Sequence, residues 1–339
     1  MNKDCACVLA ADIGGTSSRF ALFGKGEFPS PGSQVTLPTA GYATFPDLVL
    51  SAMEGLGSPR VYSAVLAVAG PVERGRFCLP PNIGHPFDLD AVTPGLLPES
   101  TLMINDFTAQ AHGCRLLCRE EKHLGVEQSG HASFGQSGPH VLTVLPGRMD
   151  PALTQAVVGP GTGLGKAALV PDGGGGYLVC GSEGGHAAFP FDGVRETDFQ
   201  EFARGLLGEP YVRFESVVSG SGLALVHRYH TGRAASPAEA SAELGDNPAV
   251  AEWFARFLGR ACRDYVLEVL ARGGLYISGG VASKNPMLLS HPAFLAEFRS
   301  SAIHPDLLDR VPVRLVTDQL IGLRGAAALA WSLAACGKQ

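Results

Sequence analysis

The sequence has no excess of basic charge and no long apolar run. Of its 339 residues, 26 are lysine or arginine and 32 are aspartate or glutamate, so the net charge is −6. Proteins that bind nucleic acid normally present a basic surface, and we therefore expect no nucleic-acid partner. The longest apolar stretch, near 326–336, is too short to span a bilayer, and no apolar segment follows a basic start. We expect no membrane association, no secretory signal and a cytoplasmic location.

The sequence also lacks the cysteine and histidine patterns of metalloproteins. Its eight cysteines are irregularly spaced and include no repeated Cys-x-x-Cys pair. We therefore expect buried free thiols in a reducing compartment rather than a disulfide framework or a zinc site. Because no His-Glu-x-x-His motif occurs either, a catalytic transition metal is not expected.

The two most familiar phosphate-binding motifs are absent. Gly165 and Lys166 resemble the end of a Walker A loop, but residue 160 is proline and residue 167 is alanine. The glycine run at 159–163 departs from G-x-G-x-x-G, because residue 164 is leucine and the run leads into a strand. These departures argue against both a P-loop NTPase and a Rossmann dehydrogenase.

What is present indicates a two-domain α/β protein. The length exceeds what one hydrophobic core usually serves, and the composition is 45% hydrophobic and 17% charged. Apolar runs and helical spacings alternate along the chain, and 120–140 reads as a surface insertion or loop. The main predicted elements are helices over 45–56, 107–118 and 322–333, and strands over 61–68, 101–104, 275–278 and 313–316.

Two glycine-rich hairpins stand out. Adjacent glycines let a turn bring its backbone N–H groups against an anion, although a plain Gly-Gly hairpin turn is the alternative. A second glycine-rich hairpin occurs about half a chain later. This recurrence favours phosphate binding and suggests that two halves of the protein face each other across a nucleotide. The residues at the two tips are Asp12, Gly14, Gly15 and Thr16 in the first and Gly161, Thr162 and Gly163 in the second.

Polar residues also follow a predicted strand. Asn105 and Asp106 stand between the end of a strand and the start of a helix, where α/β sheets place ligand groups. A helix N-cap is the alternative for either residue. Phosphoryl transfer to an alcohol needs backbone N–H groups and Mg²⁺ on the phosphates, and a carboxylate that accepts the hydroxyl proton. The sequence offers these parts.

Six segments, in order, resemble those of bacterial ATP-dependent glucokinases, in the hexokinase branch of the actin-like superfamily of sugar kinases, Hsp70 and actin. The resemblance extends from about residue 8 to about residue 330. The segments lie at 12–19, 104–107, 159–165, 183–186, 215–220 and 276–281.

The resemblance implies an actin-like duplication, with a mixed β-sheet flanked by helices in each domain and a cleft between them. Residues 1–110, completed by a C-terminal helix over 318–339, would form a small domain, and 111–317 a large one. The implied activity is phosphorylation of D-glucose by ATP, as in glycolysis, and a homodimer is left open.

The resemblance also implies roles for individual residues. Asp106 is the implied general base on the 6-hydroxyl group, with Asn105, Asp106, Glu183, His186 and Glu215 holding the sugar. Asp12 is the implied ligand of Mg²⁺, directly or through water. The residues implied for ATP are Asp12, Gly14, Gly15, Thr16, Gly161, Thr162, Gly163, Gly279 and Gly280.

One departure from the family pattern concerns the sugar loop. The family usually has Thr-Asn there, with Trp three residues after the Asn, whereas this chain has Pro81, Asn82 and His85. Another hexose or an amino sugar therefore stays open as the substrate. A non-catalytic sugar sensor is the alternative of another class. We expect the enzyme, because Asp106 is present and a first strand near residue 8 leaves no room for a preceding helix-turn-helix.

Overall fold

The computed structural model describes residues 7–81, 83–123, 135–138 and 140–336. Contacts between Cα atoms divide them into two compact units. The first unit contains the described residues up to His123 and those from Gln319 onward, and the second contains those between them. Each unit has its own mixed sheet and its own buried apolar core.

The first unit is built on a mixed sheet in the order β3-β2-β1-β4-β8, with a small antiparallel sheet of β5, β6 and β7. Its strands are β1 (Val8–Ile13), β2 (Ser17–Phe23), β3 (Pro31–Pro38), β4 (Ala64–Val68), β5 (Val72–Glu73), β6 (Phe77–Cys78), β7 (Phe87–Asp88) and β8 (Thr101–Asn105). β1 pairs antiparallel with β2 and parallel with β4, and β4 pairs parallel with β8.

Three helices accompany this sheet: α1 (Phe45–Gly55), α2 (Asp106–His123) and α12 (Ile321–Cys336). α1 begins where the Thr44 hydroxyl accepts the Asp47 N–H at 3.3 Å, a cap that satisfies an otherwise unpaired donor. α12 packs against α2 and against β1 and β4. The buried face of α1 has the predicted helical spacing, with Phe45, Leu48, Val49, Ala52 and Met53.

The second unit contains a sheet in the order β13-β12-β11-β14-β15-β10-β9. Its strands are β9 (Gly135–Gly138), β10 (Val141–Leu145), β11 (Gln155–Pro160), β12 (Leu164–Pro171), β13 (Tyr177–Ser182), β14 (Gly274–Ser278) and β15 (Val313–Val316). Its helices are α3 (Gly193–Leu207), α4 (Phe214–Val217), α5 (Gly220–Thr231), α6 (Pro237–Ala242), α7 (Pro248–Glu268), α8 (Gly280–Lys284), α9 (Met287–Ser290), α10 (Pro292–Arg299) and α11 (Pro305–Asp309).

The two sheets repeat one pattern. In each, an antiparallel run of three strands, β3-β2-β1 or β13-β12-β11, continues into two parallel strands, β4-β8 or β14-β15. Parallel strands buried on both faces need continuous apolar sequences, and β4 and β14 are buried throughout. The predicted α/β fold, with a hairpin-led mixed sheet that occurs twice, is confirmed.

The helices of the second unit pack through an aromatic cluster and a buried ion network. Phe199 lies edge-on to Trp253, with ring centroids 5.7 Å apart. Arg260 of α7 is buried and donates to Glu196 of α3 at 3.0 Å and to Glu297 of α10 at 2.9 Å. The network therefore joins three helices that are distant in sequence.

Several local predictions need correction. The strand predicted over 61–68 begins at Ala64. Most of the predicted loop at 120–140 lies outside the described residues, but α2 continues to His123 and β9 occupies Gly135–Gly138. Cys180 is exposed, because it lies on β13 at the edge of the sheet, whereas four other free thiols are buried as expected: Cys78, Cys114, Cys118 and Cys262.

Candidate active site

The first predicted phosphate-binding tip is the turn between β1 and β2. The N–H of Gly14 donates to the carbonyl of Ser17 at 3.1 Å, which closes the turn, and Gly15 and Thr16 are exposed. The hydroxyl of Thr39 donates to the carbonyl of Gly14 at 2.7 Å. Thr39 therefore supports the tip from a distant segment, a contact that no sequence motif indicates.

Asp12 lies near the carboxyl end of β1, opposite Arg19 on β2. Its side chain is exposed, yet the surrounding protein displaces part of its hydration and raises the pKa of its carboxyl group above the usual value. The Arg19 guanidinium acts in the opposite direction. Among the described residues, no three His, Cys, Asp or Glu side chains form a group that could hold a metal ion.

Asn105 and Asp106 stand at the junction of β8 and α2. The amide oxygen of Asn105 accepts the N–H groups of Phe107 and Thr108 at 2.9 and 3.2 Å, and its amide nitrogen donates to the carbonyl of Gly70 at 3.2 Å. Asn105 is therefore the N-cap of α2, one of the two alternatives at this position. Asp106 is the first helical residue, and its Oδ1 accepts the Phe107 N–H at 2.9 Å.

Asn105 and Asp106 lie at the same end of the first sheet as the β1–β2 tip. Ile13 aligns with Val68 on the parallel strand β4, and Val68 aligns with Asn105 on β8. Two strand spacings separate the backbones of Ile13 and Asn105 by about 10 Å. The first unit therefore brings a candidate base and a candidate phosphate-binding turn to the carboxyl ends of β8 and β1, which are separated by β4.

The second tip, between β11 and β12, is held by two backbone bonds. The N–H of Gly161 donates to the carbonyl of Gly163, and the N–H of Gly220 donates to the carbonyl of Gly161, both at 2.8 Å. A Cβ at Gly163 would lie 2.6 Å from Oε2 of Glu215, closer than real Cβ contacts allow. Glycine at 163 therefore permits the Glu215 carboxylate to rest on this turn.

The predicted adenosine segment lies beside the same hairpin. Gly279 follows β14 with φ = +151°, and a Cβ there would lie 2.5 Å from the carbonyl oxygen of Pro160. Only glycine fits both the backbone angle and this approach. Gly280 then begins α8. The second unit thus places Gly279 and Gly280 next to the strand that leads into the Gly161–Gly163 tip.

The predicted sugar residues of the second unit form one cluster. Glu183 precedes a short 3-10 turn over Gly184–His186, and Glu215 is the second residue of α4. The His186 Nε2 lies 3.4 Å from Glu183 Oε2, and its Nδ1 lies 3.5 Å from Glu215 Oε1. The Glu183 and His186 side chains are more than half exposed and that of Glu215 is about a quarter exposed, so the cluster is open to a ligand.

Arg213 is the member of this cluster that the sequence analysis missed. Its Nη1 donates to Glu215 Oε1 at 2.6 Å and to His186 Nδ1 at 3.2 Å, and its Nη2 and Nε donate to the two oxygens of Glu209 at 2.6 and 3.1 Å. Hydrogen bonds with Glu209 raise the pKa of Arg213, and the same bonds lower that of Glu209. Residues 209–213 precede α4 without helical periodicity, and an acid four residues before an arginine was the only available signal.

A pocket of about 270 Å³ begins at this cluster. Thr162, Arg213 and Glu215 line one part of it, so a predicted phosphate residue and a predicted sugar residue face the same space. Its apolar wall comes from α3, α5 and the segment after α5, through Leu206, Leu207, Ala224, Leu225, Ala234 and Ala235.

Two further residues from the sequence motifs can be located in the structure. Lys166, which follows the glycine run, is buried, and its Nζ lies 4.1 Å from the centre of the Phe214 ring. Burial lowers the pKa of Lys166. In the sugar loop, His85 lies beside Phe87, with ring centroids 5.9 Å apart, whereas Asn82 is outside the described residues.

Comparisons with known proteins identify the family to which the chain is similar. The family model described as Glucokinase matches residues 9–333. A glucokinase from Chromobacterium violaceum is 32% identical over 94% of this chain and 88% of its own length. The "Bifunctional protein glk" of Burkholderia orbicola is 30% identical over 95% of this chain. The chain spans about half the length of the bifunctional relatives, 48% in this case.

Solved structures show the same fold. A glucokinase from an Antarctic psychrotroph superposes with a TM-score of 0.76 and 28% identity, over 96% of this chain and 99% of that one. A ROK family glucokinase from Streptomyces griseus, in complex with glucose and AMPPNP, has a TM-score of 0.65 and 18% identity, over 96% of this chain and 100% of that one. Within the described part of the chain, no helix combines the length and the apolar character needed to cross a bilayer.

Proposed function

The chain belongs to the glucokinase family, and we propose that it transfers the γ-phosphoryl group of ATP to the 6-hydroxyl group of D-glucose. The observation that carries the proposal lies within the second unit. The Glu215 carboxylate rests on the glycine turn, with Oε2 2.6 Å from the position of a Cβ at Gly163. A sugar hydroxyl on Glu215 would therefore lie beside a turn suited to phosphate.

Asp106 is the proposed general base. A carboxylate accepts the hydroxyl proton as the oxygen attacks phosphorus, and Asp106 presents one at the amino end of α2. Asn105 holds this junction through its amide oxygen, so we propose that it contacts the sugar through the amide N–H that Gly70 does not occupy. Glu183, His186 and Glu215 are the proposed sugar contacts of the second unit.

The proposed nucleotide residues are the two glycine tips and the corner at Gly279–Gly280. The Streptomyces griseus relative was crystallised with AMPPNP, which supports ATP as the phosphoryl donor here. Asp12 suits Mg²⁺, because that ion is commonly held by one or two carboxylates together with water and substrate phosphates. Mg²⁺ would neutralise charge on the phosphates, and Asp12 would orient it, directly or through water.

The proposed base and the proposed metal ligand belong to the first unit, and most of the proposed sugar contacts belong to the second. This distribution fits the proposed small domain of 1–110 with 318–339 and the proposed large domain of 111–317. A reducing cytoplasm suits the free thiols.

The test is ADP release measured with glucose, mannose and N-acetylglucosamine, for the unmodified chain and for Asp106→Asn. We expect glucose to have the highest kcat/KM. Asp106→Asn should lower kcat by roughly 10² to 10⁴, with a much smaller change in the KM for glucose. The melting temperature should hold, because Asn105 rather than Asp106 caps α2. A near-normal kcat in Asp106→Asn would overturn the role of this residue, and a better substrate than glucose would redirect attention to His85.

A further inference from the structure

We propose that Arg213 is a positioning residue for the sugar, which fixes the tautomer of His186 and directs one oxygen of Glu215 toward the ligand. The inference rests on the proposed function, because it concerns the same sugar-binding cluster. Arg213 is the residue that contacts both His186 and Glu215 in a single arrangement, through one nitrogen, Nη1.

The tautomer follows from the donor and acceptor inventory. A guanidinium group has only donors, so the 3.2 Å contact between Arg213 Nη1 and His186 Nδ1 requires a lone pair on Nδ1. The proton of the neutral imidazole is then on Nε2, which lies 3.4 Å from Glu183 Oε2. In this state His186 presents an N–H donor on the side of Glu183.

Without Arg213, a second arrangement would compete. Nδ1 lies 3.5 Å from Glu215 Oε1, and a proton on Nδ1 would point at that carboxylate. His186 would then present a bare Nε2 to the oxygens of Glu183, an arrangement of acceptors against acceptors. Arg213 removes this choice, because its N–H occupies the position that the Nδ1 proton would need.

Arg213 can do this because Glu209 holds it in place. Two parallel bonds, from Nη2 and Nε to the two carboxylate oxygens, fix the plane of the guanidinium group. The hydroxyl of Ser216 also donates to Glu209, at 3.3 Å. The remaining nitrogen, Nη1, is thereby aimed at His186 and Glu215. Lysine could not replace this fork, since an ammonium is a point charge without planar geometry.

The arrangement gives the cluster the donor that a sugar needs. Arg213 donates to Oε1 of Glu215, which leaves Oε2, beside the Gly163 turn, to accept a hydrogen bond from a sugar hydroxyl. The Nε2–H of His186 can donate to a hydroxyl oxygen. A hexose hydroxyl is both donor and acceptor, so it is satisfied only where both kinds of partner are fixed in place.

The experiment is ¹⁵N NMR of the histidine side chains in the full chain without any ligand, at about pH 8, where an ordinary imidazole is neutral. The variant His186→Gln assigns the His186 signals. We expect Nδ1 of His186 to have the shift of an unprotonated nitrogen and Nε2 that of a protonated one. In Arg213→Met, the population protonated at Nδ1 should rise and the KM for glucose should increase about tenfold, with a smaller change in kcat.

Arg256→Met is the matched control. Arg256 pairs with Glu252 four residues earlier at 2.6 Å, and the two arginines have similar exposure, but Arg256 lies on α7 and, within the described part of the chain, forms no hydrogen bond with His186 or Glu215. It should leave both the His186 spectrum and the KM unchanged. A similar increase in KM in Arg256→Met would overturn a specific role for Arg213.

The unmodified chain alone can refute the proposal, even if Arg213→Met does not fold. A proton on Nδ1 of His186 in that spectrum would overturn it. An unchanged spectrum in a folded Arg213→Met would do the same. Failure of the proposed function is distinguishable, because the chain could lack activity on every sugar and still show the expected tautomer.

Discussion

Gly163→Ala tests whether the Glu215 carboxylate depends on the glycine turn. The new Cβ would lie 2.6 Å from Glu215 Oε2, which must move by about 0.8 Å to reach the 3.4 Å of ordinary contact. The backbone need not move, because the nearest atoms belong to the end of a side chain. The carboxylate is also the acceptor of the 2.6 Å bond from Arg213, so the displacement strains that bond.

The expected consequence is a loss of sugar affinity with little loss of stability. Displacing a carboxylate that is positioned for a hydroxyl costs about 1–3 kcal/mol of binding, which is a factor of roughly 5 to 150 in the dissociation constant for glucose. Isothermal titration with glucose measures the affinity, and thermal unfolding measures the stability. Gly205→Ala is the control, because Gly205 lies within α3 with open space around its Cβ position. It should leave affinity unchanged and stabilise the chain by about 0.5–1 kcal/mol.

A double-mutant cycle with Glu215→Ala decides the cause. If Gly163→Ala acts through the carboxylate, it should weaken glucose binding little further once the carboxylate is gone. Additive losses would refute the reasoning, since they would mean that the substitution distorts the turn itself. Equal affinity in Gly163→Ala and the unmodified chain would refute the proposed contact between Glu215 and the sugar.

Further outcomes follow from other contacts. Asn105→Ala should lower the free energy of unfolding by about 1 kcal/mol in urea titrations, because α2 loses its cap, whereas an unchanged value would contradict that cap. Arg260→Met should cost about 3–5 kcal/mol, because it leaves the buried Glu196 carboxylate without its arginine partner, whereas the surface variant Arg256→Met should cost less than about 1 kcal/mol. Burial raises the pKa of the Glu297 carboxyl group, but Arg260 and Arg263 lower it by more, so its pKa lies below the ordinary value. The stabilisation from these ion pairs is therefore present above the ordinary pKa of glutamate, and it is lost as the pH falls through the pKa of Glu297 in the folded state. Saturating glucose should slow amide hydrogen exchange near Asn105 and at 183–186, and protection confined to one unit would contradict the assignment of sugar contacts to both.

Local signals in the sequence were sufficient to predict those features that depend on residues close together in the chain. The start of α6 is an example, because Ser236 and Glu239 have the three-residue spacing of a capping box and form one, with bonds of 2.7 and 3.3 Å. The two hairpins follow likewise from glycines between apolar runs. The order of the strands in each sheet is consistent with these elements, since short connections and parallel crossovers leave few alternatives.

Contacts made by distant segments could not be predicted in this way. Arg213 reaches His186 across 27 residues, and Thr39 reaches Gly14 across 25. Lys166 looked like part of a phosphate motif, but strand alternation points its side chain inward, opposite Val158 and Ser182 on the neighbouring strands. The direction of a side chain on a strand depends on register, which the glycine pattern beside it does not determine.

Under the proposed function, the charge of the cluster favours neutral sugars over acidic sugars as substrates. Three carboxylates, those of Glu183, Glu209 and Glu215, surround Arg213 and His186 at 2.6–3.5 Å. With His186 neutral, as the bond from Arg213 requires, the cluster has a net charge of about −2. An acidic sugar would be repelled there, whereas a neutral hexose brings hydroxyl donors to oxygens that need them. The same surplus of acceptors explains why an arginine is compatible with a site for an uncharged ligand. Carboxylates on both sides already balance the charge of Arg213. The N–H groups of its Nη1 therefore position His186 and Glu215 rather than attract an anion.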